Sequence, residues 1–96
     1  GRRGTLGAGA LIEALRRPDT AAVAAEALGQ LGAEQGRTAL EERLGAEQAL
    51  ELQVAAARGL GRLALAESQP ALRRRFETPA LPPELRLALA EALVYV

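Results

Sequence analysis

The chain contains no cysteine, histidine, methionine or tryptophan, and only one phenylalanine and one tyrosine. Without cysteine there is no disulfide framework and no thiolate chemistry, and with histidine also missing the usual zinc sites cannot be built. Lysine and asparagine are absent too, so all twelve cationic side chains are arginine. They balance twelve acidic ones to a formal net charge of zero. That balance removes the sequence-independent attraction to phosphate on which nucleic-acid binders rely, so nucleic acid is disfavoured as a partner. No apolar run approaches the roughly 20 residues needed to span a bilayer, and Gly1-Arg2-Arg3-Gly4 leads into no signal-peptide core. The expectation is a soluble, cytoplasmic chain.

Ala and Leu dominate what remains, a bias that suits GC-rich coding or a thermophile and says nothing about function. At 96 residues, 49% apolar and 25% charged, the chain has room for one small domain and enough apolar surface to fold.

Internal repetition organises it. Ala25-Glu26-Ala27-Leu28-Gly29-Gln30-Leu31 aligns with Ala57-Arg58-Gly59-Leu60-Gly61-Arg62-Leu63 at a shift of 32, and with Ala90-Glu91-Ala92-Leu93-Val94-Tyr95-Val96 after a further 33. A second phrase, Thr38-Ala39-Leu40-Glu41-Glu42-Arg43-Leu44, returns as Pro70-Ala71-Leu72-Arg73-Arg74-Arg75-Phe76, with an earlier relative in Gly9-Ala10-Leu11-Ile12-Glu13-Ala14-Leu15.

Both phrases carry helical spacing of apolar residues. The first predicts helices over 19–31, 51–65 and 83–96, with Asp19 or Thr20 as a cap and Pro83 in a first turn where a missing N–H costs nothing. The second predicts shorter helices over 8–17, 36–44 and 70–77. Pro18, Gly45 and Pro79 stop them, and Gly32, Gly36 and Ser68-Gln69-Pro70 mark the intervening turns. No room is left for strands. Gly29, Gly59 and Gly61 stand inside predicted helix, each costing about 1 kcal/mol relative to Ala. Their recurrence beside the core Leu is explained by close helix approach.

The phrases Ala24-Ala25-Glu26-Ala27-Leu28-Gly29-Gln30-Leu31-Gly32, then Ala39-Leu40 and Leu44, resemble the HEAT-like repeat family, in particular the short bacterial repeats of the phycobilisome bilin lyase type. The resemblance covers nearly the whole chain. It implies an all-α, right-handed α-α superhelix of about two and a half repeats, in which the shorter helices line a concave face. Thr20-Ala21 and Leu52-Gln53 stand where the family pattern has Val-Arg, so an Asp-Arg ladder between repeats is expected to be broken and the joints mostly apolar. Family members serve as protein-binding scaffolds, as bilin lyase subunits and occasionally as DNA-base glycosylases.

Stacking the shorter helices gives three ladders on their outer face: Ile12, Glu41, Arg73; Glu13, Glu42, Arg74; and Ala14, Arg43, Arg75. As a binding surface, Arg73 and Arg74 offer forked donors to an acidic segment. Without a partner, Glu41 and Glu42 opposite Arg73 and Arg74 form salt bridges between neighbouring repeats. Arg16 and Arg17 sit where they favourably face a helix C-terminus, and Arg2-Arg3 reads as a linker. Leu40, Leu44, Leu72 and Phe76 are assigned to the core.

No catalytic, cofactor-binding or metal-ligating residue emerges. Glu41 and Glu42 are adjacent and diverge by about 100° around a helix, so they cannot flank one reacting bond. No triad is present, and a glycosylase would need more aromatic residues than Phe76 and Tyr95 to hold an extruded base. The reading is a non-catalytic scaffold for a protein partner. The rival is an accessory segment of a bilin-lyase-like or nucleic-acid-processing enzyme. The missing initiator methionine and the apolar ending Leu93-Val94-Tyr95-Val96 suggest a piece of a longer protein, with self-association possible through that last helix.

Overall fold

Helical periodicity in the sequence becomes six α-helices and no strand among the described residues: α1 (Arg2–Ala14), α2 (Ala21–Leu31), α3 (Arg37–Glu42), α4 (Leu50–Leu63), α5 (Gln69–Phe76) and α6 (Pro83–Tyr95). The structure, a computed structural model, describes residues 2–96, with side chains from residue 7 onward. Short 3-10 turns, Glu34–Gly36 and Ala66–Ser68, lead into α3 and α5. Among the described residues no helix is long and apolar enough to cross a membrane.

Most predicted boundaries hold within two residues, and the first helix is the exception. It begins at Arg2, so the backbone of Arg2 and Arg3 belongs to α1 and is not a linker; their side chains lie outside the described ones. It also ends at Ala14, before the expected Arg17, because the chain tightens there. The N–H groups of Arg16 and Arg17 bond back only three residues, to the carbonyls of Glu13 and Ala14. Thr20 does not cap α2 with its side chain. Its hydroxyl instead donates backwards to the Ala14 carbonyl at 2.8 Å, closing the end of α1.

The two longer turns from α2 and α4 show how sequence sets an ending. Gly32 takes the left-handed conformation at φ 71°, while the N–H groups of Gly32 and Ala33 donate to the Gly29 and Leu28 carbonyls. This double closure satisfies carbonyls that the helix leaves open. One repeat later Ala64 stands in the same place at φ 54°, with a single bond from its N–H to the Leu60 carbonyl.

Packing arranges the helices in two layers. Helices α2, α4 and α6 lie side by side with α4 in the middle, and α1, α3 and α5 pack on α2, α4 and α6 respectively. Thus α3 packs mainly on α4 and α5 mainly on α6, the helix that follows each, not on the one before. Leu40 explains the α3–α4 pairing, since its Cδ1 fills the space beside Gly59, 3.3 Å from where a Cβ would stand. Leu28, Leu40, Leu60, Leu72, Leu85 and Leu89 are fully buried and belong to one hydrophobic cluster.

Glycine sets the spacing of the long helices. A Cβ on Gly29 would lie 2.7 Å from the Gly59 Cα, and one on Gly59 would lie 2.6 Å from the Ala25 oxygen. At the next joint a Cβ on Gly61 would stand 3.0 Å from the Ala92 Cα. The helix-propensity cost of these glycines is offset by backbone contact that no larger residue permits. The resulting body measures 40 × 28 × 16 Å between Cα atoms, with a radius of gyration of 12.2 Å.

Candidate interaction surface

The second-layer helices α3 and α5 turn Leu40, Leu72 and, just past α3, Leu44 into the core, as their spacing requires. The residues between those leucines are left to line a groove of about 480 Å³ between the two helices. Thr38, Glu41 and Glu42 form one wall, and Ala71, Arg74 and Thr78 the other, with Leu44, Gly45 and Arg75 completing the lining. Glu41, Glu42 and Arg74 thus meet at one place. Arg73 does not join them. With the Gln69 amide turned to suit its surroundings, the Gln69 oxygen accepts from the Arg73 guanidinium at 3.1 and 3.2 Å.

The expected salt-bridge ladder does not form. Glu41 pairs within its own helix, 2.9 Å from Arg37, and Glu42 lies 3.5 Å from its neighbour Arg43. Among the described residues no ion pair joins α3 to α5, and Arg74 has no acidic partner. Local partners, one turn away for Glu41 and adjacent for Glu42, win because their side chains are already held nearby, whereas a bridge across the groove must immobilise two long side chains. The inter-helix ion pair that does form is elsewhere: Arg62 of α4 stands 3.7 Å from Glu26 of α2.

The second-layer helices are instead joined by Arg75, which the ladder scheme had placed in solvent. Its Nε donates to the Leu44 carbonyl at 2.7 Å, and its Nη2 donates to Gln53 Oε1 at 2.7 Å. Gln53 is only 5% exposed, and its own Nε2 donates to the Gln48 carbonyl at 2.8 Å. The joint between repeats is therefore polar as well as apolar. Its signal in the sequence was Gln53, a polar residue inside the apolar run Leu52–Ala57, since such a buried group requires partners.

Arg16 and Arg17 lie away from the groove. Both are exposed in the turn after α1, and Arg16 borders a separate cleft with Ala22, Gln48 and Glu51. Its contact with Glu13, at 4.0 Å between side chains more than two-thirds exposed, contributes little.

Two apolar assignments also change. Phe76 is not core: it is 36% exposed at the end of α5, on the rim of a groove with Leu81, Pro83 and Leu87, whereas its counterpart Leu44 is buried. The ending Leu93-Val94-Tyr95-Val96 divides by helical rotation. Leu93 and Val96 pack against the core, whereas Val94 and Tyr95 are exposed. Ser68, the single serine, is fully buried, so its hydroxyl is closed to any substrate.

No family model matches the chain, and no curated protein matches it either.

Proposed function

We propose that the chain is a HEAT-like α-α solenoid segment, right-handed, that works as a non-catalytic scaffold and holds a protein partner in the groove between α3 and α5. The observation that carries this reading is the state of Arg74: exposed, without an acidic partner, and facing a wall that holds Glu41 and Glu42. A groove with one free cation and an acidic wall suits a polypeptide segment bearing a carboxylate for Arg74 and a basic group for Glu42. Glu42 is the better available of the two acids, with 66% of its side chain exposed. Specificity then comes from charge register, and the small residue Ala71 leaves room for the segment's backbone.

The HEAT-like reading is supported by the two-layer order, in which α2, α4 and α6 stack on one another and α1, α3 and α5 form the second row. The test is co-purification of binding proteins with the immobilised chain, comparing it with Arg74→Glu and with Arg16→Glu/Arg17→Glu. The partner should be lost with the first and retained with the second. Equal recovery on all three contradicts the groove.

A further inference from the structure

The two ends of the α2–α4–α6 layer expose matching apolar stripes, and we propose that they bind each other, so that a second copy of the chain docks head to tail with its α2 against α6.

Internal interfaces define the two sides of a long helix. Gly61 of α4 meets Ala92 of α6, and on the same stripe of α4, one and two turns earlier, Ala57 and Val54 are 0% and 8% exposed. The repeat shift of 33 puts Leu87, Ala90 and Val94 at these three positions in α6. There Leu87 is 61% and Val94 78% exposed, and Phe76 stands beside Leu87 on the rim of one shallow groove. The opposite side of α4 meets α2 through Gly59, with Ala55 buried one turn before it, as Ala88 is buried before Ala92 in α6. The equivalents in α2 are Val23 and Ala27, followed by Leu31. Val23 is 72% and Leu31 43% exposed.

Six large apolar side chains are exposed among the described residues, and five of them, Val23, Leu31, Phe76, Leu87 and Val94, fall on these two end faces. That distribution is not the scatter of isolated apolar residues found on ordinary surfaces. The faces are also matched in size. Internal joints oppose Gly to Gly or Ala, whereas the joint between copies opposes Val94 to Ala27 and fills the remaining space with Val23 and Leu87. Larger side chains hold the two helices further apart than α2 and α4 are held, within the ordinary packing range. Because the two faces differ, the contact is heterologous: each bound copy leaves both end faces free at the extremities, and the assembly grows as an open series unless it closes into a ring.

Sedimentation velocity across a concentration series tests this with two surface variants, Leu87→Glu and Val23→Glu, whose folding is checked by helical circular dichroism. The wild-type chain should grow in mass with concentration, and each variant alone should remain monomeric. An equimolar mixture of the two should double in mass and stop there, since the intact tail of one fits the intact head of the other. A wild type that stays monomeric at the highest attainable concentration overturns the proposal. So does a Val23→Glu chain that assembles like wild type, which would indicate a tail-to-tail contact, or a mixture that stays monomeric.

Discussion

Arg75 of α5 donates its Nε hydrogen to the carbonyl of Leu44, just past the end of α3, at 2.7 Å, and with its other arm holds the buried amide of Gln53. One planar guanidinium thereby closes an open helix end and satisfies a polar side chain within the body. Arg75→Ala should lower unfolding free energy by about 2 kcal/mol, the scale for charged hydrogen bonds whose buried partners are left unsatisfied. Arg75→Lys should recover less than half of that, because a single ammonium cannot serve both acceptors in the same plane. Urea denaturation measures both. A loss no greater than that of Arg74→Ala would show that the joint contributes nothing.

Ala64 and Gly32 terminate successive long helices in the same left-handed conformation, but only Gly32 lacks a Cβ. Ala64→Gly should therefore stabilise the chain by about 1 kcal/mol, through relief of the steric cost of positive φ. The result is read as an upward shift of the thermal midpoint; a downward shift would mean that the greater freedom of Gly in the unfolded chain outweighs that strain.

These positions also show what was and was not legible in the sequence. Helix positions followed from Leu spacing and from Gly and Pro breaks, since both act through local backbone preferences. Gly29, Gly59 and Gly61 could be read as packing glycines because they recur beside Leu28 and Leu60. The start of α1 escapes the sequence because Arg2-Arg3 reads as a linker and the poor helix formers Gly4 and Gly7 precede the repeating phrase. The groove was half legible: periodicity placed Glu41, Glu42 and Arg74 on the open side of their helices, but Arg73 turns to Gln69, and the choice between local and cross-groove ion pairs depends on rotamers. A ladder drawn from aligned phrases puts Arg75 in solvent because it takes no account of the open carbonyl at Leu44 or of Gln53 behind it.

Leu60 is fully buried in the last turn of the middle helix, α4. Leu60→Asp places a charge there with no cationic partner, a change that exceeds the usual stability of a domain this small once cavity and desolvation costs combine. Cooperative thermal unfolding, followed by circular dichroism, should disappear. A helical Leu60→Asp chain with an unchanged melt would show that α4 is not the core helix.

The groove and the end faces both depend on α2, α4 and α6 touching through glycine, and two alanine substitutions test that premise directly. At Gly9, exposed on α1, a Cβ meets nothing within 4 Å, so Gly9→Ala should stabilise by about 0.5–1 kcal/mol through helix propensity alone. At Gly59 the same methyl group would stand 2.6 Å from the Ala25 oxygen and 3.3 Å from Leu40 Cδ1, so Gly59→Ala should destabilise by about 2 kcal/mol despite the same propensity gain. Urea denaturation of the two variants beside wild type should give opposite signs. Stabilisation of both would contradict the close crossing of α2 and α4, and with it the stack.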